Sequence, residues 1–166
     1  KTNTEALAFG GSCGTQTAAF YVGGHDGSAT TDNAETWNGS SWTEVADLNA
    51  GGHGIGLEGT TTAALRFGAS PSPRAVAELW DGSSWTEVGD LNTSRGNLGG
   101  AGKTNTEALA FGGSSNNTES WNGTSWTEVA DLNTSRNDLS GLGTYTSALA
   151  ITGAPARAIV ELWNGS

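Results

Sequence analysis

Two histidines, one cysteine, two tyrosines and seven tryptophans are the side chains of this 166-residue sequence best suited to ligation, redox chemistry or stacking. His25 stands in "GGHDG" beside Asp26, and His53 in "GGHG". Imidazoles hold metals, but neither segment carries partner ligands at a metal-site spacing, so no metal and no cofactor is expected. Trp37, Trp42, Trp80, Trp85, Trp121, Trp126 and Trp163 offer flat faces on which a sugar ring could stack. All seven nevertheless occupy two positions of one recurring phrase: WNGSSWTEVADLN from Trp37, WDGSSWTEVGDLN from Trp80, WNGTSWTEVADLN from Trp121 and WNGS from Trp163. The first tryptophans are spaced 43, 41 and 42 residues apart. Side chains placed by a repeat belong first to its framework, here packing across strands and between sheets.

The carboxylates follow the same rule. Glu35, Glu78, Glu119 and Glu161 each precede a tryptophan by two residues, Glu44, Glu87 and Glu128 follow one by two, and Asp47, Asp90 and Asp131 recur just beyond. Such carboxylates are expected to be solvated residues on strand faces that keep edges soluble, not a catalytic pair. With no GxSxG, P-loop or Rossmann glycine pattern present, no catalytic residue is assigned and the chain is not expected to be an enzyme.

The elements that must position these residues are short strands. The 26 glycines, the many Ser and Thr and the scarcity of charge predict almost no helix. Each period holds four strand-like pieces, clearest between Asn92 and Leu132 in "LGGAG" (Leu98 to Gly102), "TEALAFGG", "NTESW" and "SWTEVADL". Asn122-Gly123, repeated at Asn38-Gly39, Asp81-Gly82 and Asn164-Gly165, predicts a hairpin with a type I′ turn, both central residues having φ > 0. The second piece is apolar without alternation, as in Ala108 to Phe111, Ala18 to Val22 and Ala148 to Ile151, which implies burial on both faces. A four-stranded unit that cannot bury its faces alone, repeated about every 42 residues, describes the blade of a β-propeller.

A strand-ending Gly23-Gly24 or Gly112-Gly113, a Glu two residues before a Trp, a second Trp and a polar linker ending in Arg95 or Arg136 resemble the kelch motif. The chain departs from that pattern where Gly68-Ala69 and Gly153-Ala154 replace the double glycine and where Gly52 replaces the linker arginine. The resemblance implies an all-β, kelch-like propeller of antiparallel blades, four or five of them partial or complete, as a ring or part of a larger one. It also brings to mind a kelch-fold copper oxidase with two Tyr, two His and a Cys. Tyr21, Tyr145, His25, His53 and Cys13 match that set in number but not in ligand spacing. The "TEALAFGG" and "WNGxSWTEV" units are also similar to repeats in structural and fibre proteins of marine bacteriophages, which implies an extracellular or virion location.

Residues 1–12 repeat residues 103–114 letter for letter, yet another copy of the same strand follows after only two residues. Either a deletion near Ser12, Cys13 and Gly14 joined two copies, or the chain is discontinuous there. The expected units are therefore 1–13 (partial blade or displaced strand), 14–49, 50–92, 93–133 and 134–166 (incomplete blade).

A net charge of −10 argues against nucleic acid as a partner, and the absence of any run of 18 apolar residues gives no membrane-spanning helix. Variation between repeats collects in the loop after the double glycine. Arg74, Arg157, His25 and Asp26 lie there and are the expected ligand contacts. The function these features imply is a non-catalytic binding or display module, set on a phage fibre or surface and contacting a glycan or other protein subunits, a homo-oligomer among them. A carbohydrate-active extracellular enzyme domain and a general interaction scaffold are the alternatives.

Overall fold

The computed structural model of the chain describes residues 10–71, 75–155 and 158–165. They form four antiparallel sheets and no helix: β1 (Gly11–Thr15) to β4 (Trp42–Val45), β5 (Gly56–Thr60) to β8 (Trp85–Val88), β9 (Leu98–Gly102) to β12 (Trp126–Val129), and the three-stranded β13 (Ser140–Thr144) to β15 (Val160–Trp163). Within each sheet, neighbours in sequence are neighbours in space, so every blade is a meander. The inner strands β1, β5, β9 and β13 stand side by side in that order. The molecule is a four-bladed β-propeller, as the repeat period predicts.

Ser12, Cys13 and Gly14 lie inside the unbroken strand β1, which pairs with β2 (Ala18–His25) from Gly11↔Val22 to Thr15↔Ala18. The first blade thus begins at Gly11 rather than Gly14. The earlier strand copy, residues 5–9, lies outside the described residues.

Local chemistry explains the blade. Thr15, Thr60 and Thr144 each accept the N–H of the residue three positions on, at 3.2, 3.2 and 3.1 Å, closing the turn between the first two strands. The indoles of Trp37, Trp80, Trp121 and Trp163 reach back to that turn and donate to the carbonyls of Gln16, Thr61, Asn105 and Tyr145 at 2.9–3.0 Å. The first tryptophan of each repeat therefore staples the third strand to the turn between the first two.

The hairpin joining the two tryptophans is present but is not a type I′ turn. Four residues connect Trp37↔Trp42, Trp80↔Trp85 and Trp121↔Trp126, and only the glycine has φ > 0 (Gly39, Gly82 and Gly123 at 95°, 97° and 91°). The preceding Asn or Asp accepts two backbone N–H groups with one side-chain oxygen, for example Ser83 and Ser84 on Asp81 Oδ1, both at 2.8 Å. That side chain does the turn's work, so its own backbone need not enter the left-handed region.

The double-glycine position also shifts by one residue in the last blade. Gly23, Gly68, Gly112 and Thr152 are equivalent and all left-handed, with φ of 66°, 62°, 72° and 62°. The counterpart of Gly112-Gly113 is thus Thr152-Gly153, not Gly153-Ala154.

Burial lies between blades, as the unalternating second strands require. Phe20, Val22 and Ala34 of the first blade pack on Ala64, Trp80 and Trp85 of the second. Leu65, Phe67 and Ala77 pack on Ala108, Trp121 and Trp126, and Leu109 and Phe111 on Ala148 and Ala150. Strand β10 (Ala108–Gly112) is buried along its whole length.

Candidate functional site

Three of the repeated glutamates, Glu78, Glu119 and Glu161, contradict the expectation of solvated carboxylates. Glu78 and Glu119 are fully buried, and each of Glu78, Glu119 and Glu161 is paired with an arginine: Arg66 at 2.9 Å, Arg95 at 2.7 Å and Arg136 at 2.8 Å. The other oxygen of each carboxylate takes two bonds from an asparagine of the preceding linker, as when Asn92 donates its backbone N–H and its amide to Glu119 Oε2 at 2.7 and 2.9 Å. Asn49 and Asn133 do the same for Glu78 and Glu161. Glu44, Glu87 and Glu128, on the outer strands, are exposed as expected.

The missing linker arginine at Gly52 has a replacement. Arg95 Nη1 donates to the carbonyls of Gly112 and Asn117, and Arg136 Nη1 to those of Thr152 and Ile159. Arg66, on β6 (Ala63–Phe67), places its Nη1 on Gly68 and Val76, the equivalent carbonyls, and also donates to Ala50. A guanidinium occupies the same place in three blades but comes from the linker in two and from the second strand in one. Ala110 and Ala150 stand where the other blades have no need of that arginine, and Tyr21 holds the position in the first.

The tryptophans are framework. Trp80, Trp85, Trp121 and Trp126 are buried, with Trp85 stacked on Phe20 at 5.5 Å and Trp126 edge-on to Phe67 at 5.1 Å. Trp42, on the outer strand of the first blade, is 49% exposed and packs at 5.6 Å on Trp37. They form no ring of platforms.

Of the expected contact residues, Arg74 and Arg157 lie outside the described residues. Asp26 shapes its own loop, accepting the N–H groups of Ser28 and Ala29 at 2.8 and 2.9 Å; the Ala29 and then the Ser28 bond hold its carboxyl below the usual range. His25 accepts the Gly27 N–H at 3.0 Å and meets the edge of His53 at 5.7 Å.

His53 leads to the site that the sequence reading missed. A groove of about 530 Å³ runs along the inner strands, its polar walls supplied by Ser12, His53, Glu58, Asn97, Asp138 and Ser140. His53 Nδ1 is buried with no hydrogen-bond partner among the described residues. Gly54, Asn97 and Asp138, equivalent residues of successive blades, are all left-handed (61°, 56° and 53°) and linked edge to edge: Asn97 N–H to the Gly54 carbonyl and Asp138 N–H to the Asn97 carbonyl, both 2.9 Å. Left-handed non-glycine residues are costly unless they are Asn or Asp, which makes these two a sign of the groove that could have been read from the linkers "RGNL" and "RNDL".

Deeper in the groove, burial pushes the Glu58 carboxyl up to about 8. The neighbouring Cys13 thiol is pushed up to about 12, by burial first and by Glu58 second, which makes it a poor nucleophile. No group of three or more metal-ligating side chains occurs among the described residues. The polar side chains that line the groove are suited to hydrogen-bonding a hydroxyl-rich ligand.

The fold defines a four-bladed β-propeller. No protein-family model matches the sequence, and no curated protein matches it either.

Proposed function

We propose that the chain is a non-catalytic binding module whose ligand is a glycan, held in the groove between the inner strands. The observation that carries this reading is the groove itself, which His53, Asn97 and Asp138 of successive blades line with polar side chains. The setting implied by the phage-repeat resemblance is a virion surface, where the groove would meet a cell-surface glycan. The test is binding to a glycan panel by the chain and by an Asn97→Gly/Asp138→Gly variant. Gly54 already occupies the equivalent left-handed position, so the variant keeps the backbone and loses only the polar groups. Binding that disappears with unchanged melting temperature supports the reading; binding that persists sinks it.

A second reading, a carbohydrate-active enzyme domain, is favoured by one feature: Glu58 holds its proton near neutral pH inside the groove, as a general acid must. Turnover of a glycan panel, abolished by Glu58→Gln, is the result that reading requires.

A further inference from the structure

The groove continues into a second cavity. This one, of about 570 Å³, lies at the other end of the same four inner strands, among Cys13, Thr15, Thr60, Thr61, Ala101 and Lys103. Ser12, Leu57, Glu58 and Gly141 belong to the walls of both, so the two cavities meet midway along those strands. Three of these four are equivalent residues, Ser12, Leu57 and Gly141, paired with Tyr21, Arg66 and Ala150 of the second strands. The groove opens where the linkers enter the inner strands, at Gly54, Asn97 and Asp138, and the second cavity opens where those strands turn back, at Thr15, Thr60 and Lys103. Together they make one passage along the axis, with a mouth on each face of the propeller.

The passage offers hydrogen bonds along its length. Each inner strand is the edge of its own sheet, so peptide groups outside the ladder add donors and acceptors to those of the side chains. At the junction Glu58, whose carboxyl burial holds protonated up to about 8, supplies an O–H donor as well as an acceptor. Of the other walls at that level, β1 brings the Cys13 thiol, whereas β9 and β13 bring Ala101 and Leu142 and no titratable group. Asp138 and His53 stand at one mouth and Lys103 at the other. Lys103 is the one lysine among the described residues, on a turn one residue longer than its counterparts: Gly102 pairs with Ala108, but Gly14, Gly59 and Gly143 with Ala19, Ala64 and Ala148. The walls leave no room for a side branch. A Cβ on Gly11 would stand 2.9 Å from Leu57 Cβ, and one on Gly100 would stand 2.8 Å from Glu58 Oε1, so neighbouring inner strands are already in contact.

We infer that the ligand is an unbranched glycan chain that enters by a free end and lies along the axis, its units held in the groove and in the second cavity alike. The inference rests on the glycan reading proposed above and adds to it the shape of the ligand and the far half of its site. Thr60, Thr61 and Lys103 then join Asn97 and Asp138 as contact residues.

The probes are linear oligosaccharides of two and six units in the β-1,4-glucose, α-1,4-glucose and β-1,4-N-acetylglucosamine series, titrated calorimetrically into the intact chain and into a Thr61→Tyr/Lys103→Trp variant. Thr61 contributes its carbonyl to the turn, as Gln16, Asn105 and Tyr145 do in the other blades, so a tyrosine side chain is already accommodated at this position. In a series that binds, the six-unit chain is expected to bind at least about tenfold more tightly than the two-unit chain, and the variant should lose that gain while binding the two-unit chain as before. The six-unit chain should also protect the amides of Thr61 and Lys103 from hydrogen exchange, together with those of Asn97 and Asp138. Equal affinity for the two lengths, protection confined to Asn97 and Asp138, or a folded variant that keeps the long-chain gain would overturn the inference and leave the glycan reading standing. Absence of binding in every series would overturn both. The length ratio and the exchange pattern are read on the unaltered chain, so they decide the matter even where the variant does not fold.

Discussion

At the scale of single residues, the buried Arg–Glu pairs carry the largest risk in the molecule. An ion pair taken out of water gains little over an apolar pair of the same volume, but leaving one partner alone is severe. Arg95→Met leaves Glu119, 1% exposed, facing only the linker asparagine and the Thr93 N–H. Urea unfolding should show a loss of about 3–5 kcal/mol, much of it restored in the Arg95→Met/Glu119→Leu double variant. The Glu58 carboxyl makes a second prediction at this scale. Its folded-state pKa of about 8 lies above the ordinary 4.5, so the folded protein keeps a proton that the unfolded chain releases. The contribution is full below about 4.5, declines as the pH rises and levels off above about 8, a change of a few kcal/mol at most. Denaturant midpoints measured across this range should flatten in Glu58→Gln.

At the scale of strands, much was legible because the repeat states each element several times over. The bounds of β9, the unalternating core strands and the paired tryptophans all follow from period and hydrophobic pattern. What escaped was anything that depends on a partner distant in sequence. Glu119 resembles a solvated carboxylate until Arg95, 24 residues away, is brought beside it. Arg66 resembles a stray charge in a core strand until Gly52 is recognised as the absence it fills. The inner-strand groove was hidden for a related reason: its polar side chains come one or two from each blade, and no single segment contains them all. The inner strands also approach too closely for most side chains. A Cβ on Gly141 would stand 1.8 Å from the Gly100 carbonyl oxygen. Gly141→Ala should therefore separate the third and fourth blades, visible as a lowered melting temperature and increased solvent exposure of Leu139.

For the whole molecule, each core cluster joins one blade to the next, so stability is a chain of nearest-neighbour interfaces rather than a property of one shared interior. The second and third blades are covered on both sides. The fourth leaves Leu142, Val160 and Leu162 exposed. Hydrogen exchange should reflect this gradient, with β10 amides slowest and those of β13 and β15 markedly faster; uniform protection across the four sheets would show that the blades open only together.

The alternative origins of the buried guanidinium bear on how such a sequence can change. Near-identical repeats invite unequal crossing-over, which swaps segments between blades at the points where their letters agree. Exchange that carries a linker together with its following strand moves a matched set, Gly52 with Arg66 or Arg95 with Ala110. A junction between those two segments does not: one recombinant would crowd two guanidiniums around a single glutamate, and its reciprocal would strand that glutamate without a cation. Two blades alike enough to recombine are thus compatible only at certain crossover points, and the repeat carries a linkage constraint that its letter-by-letter similarity conceals.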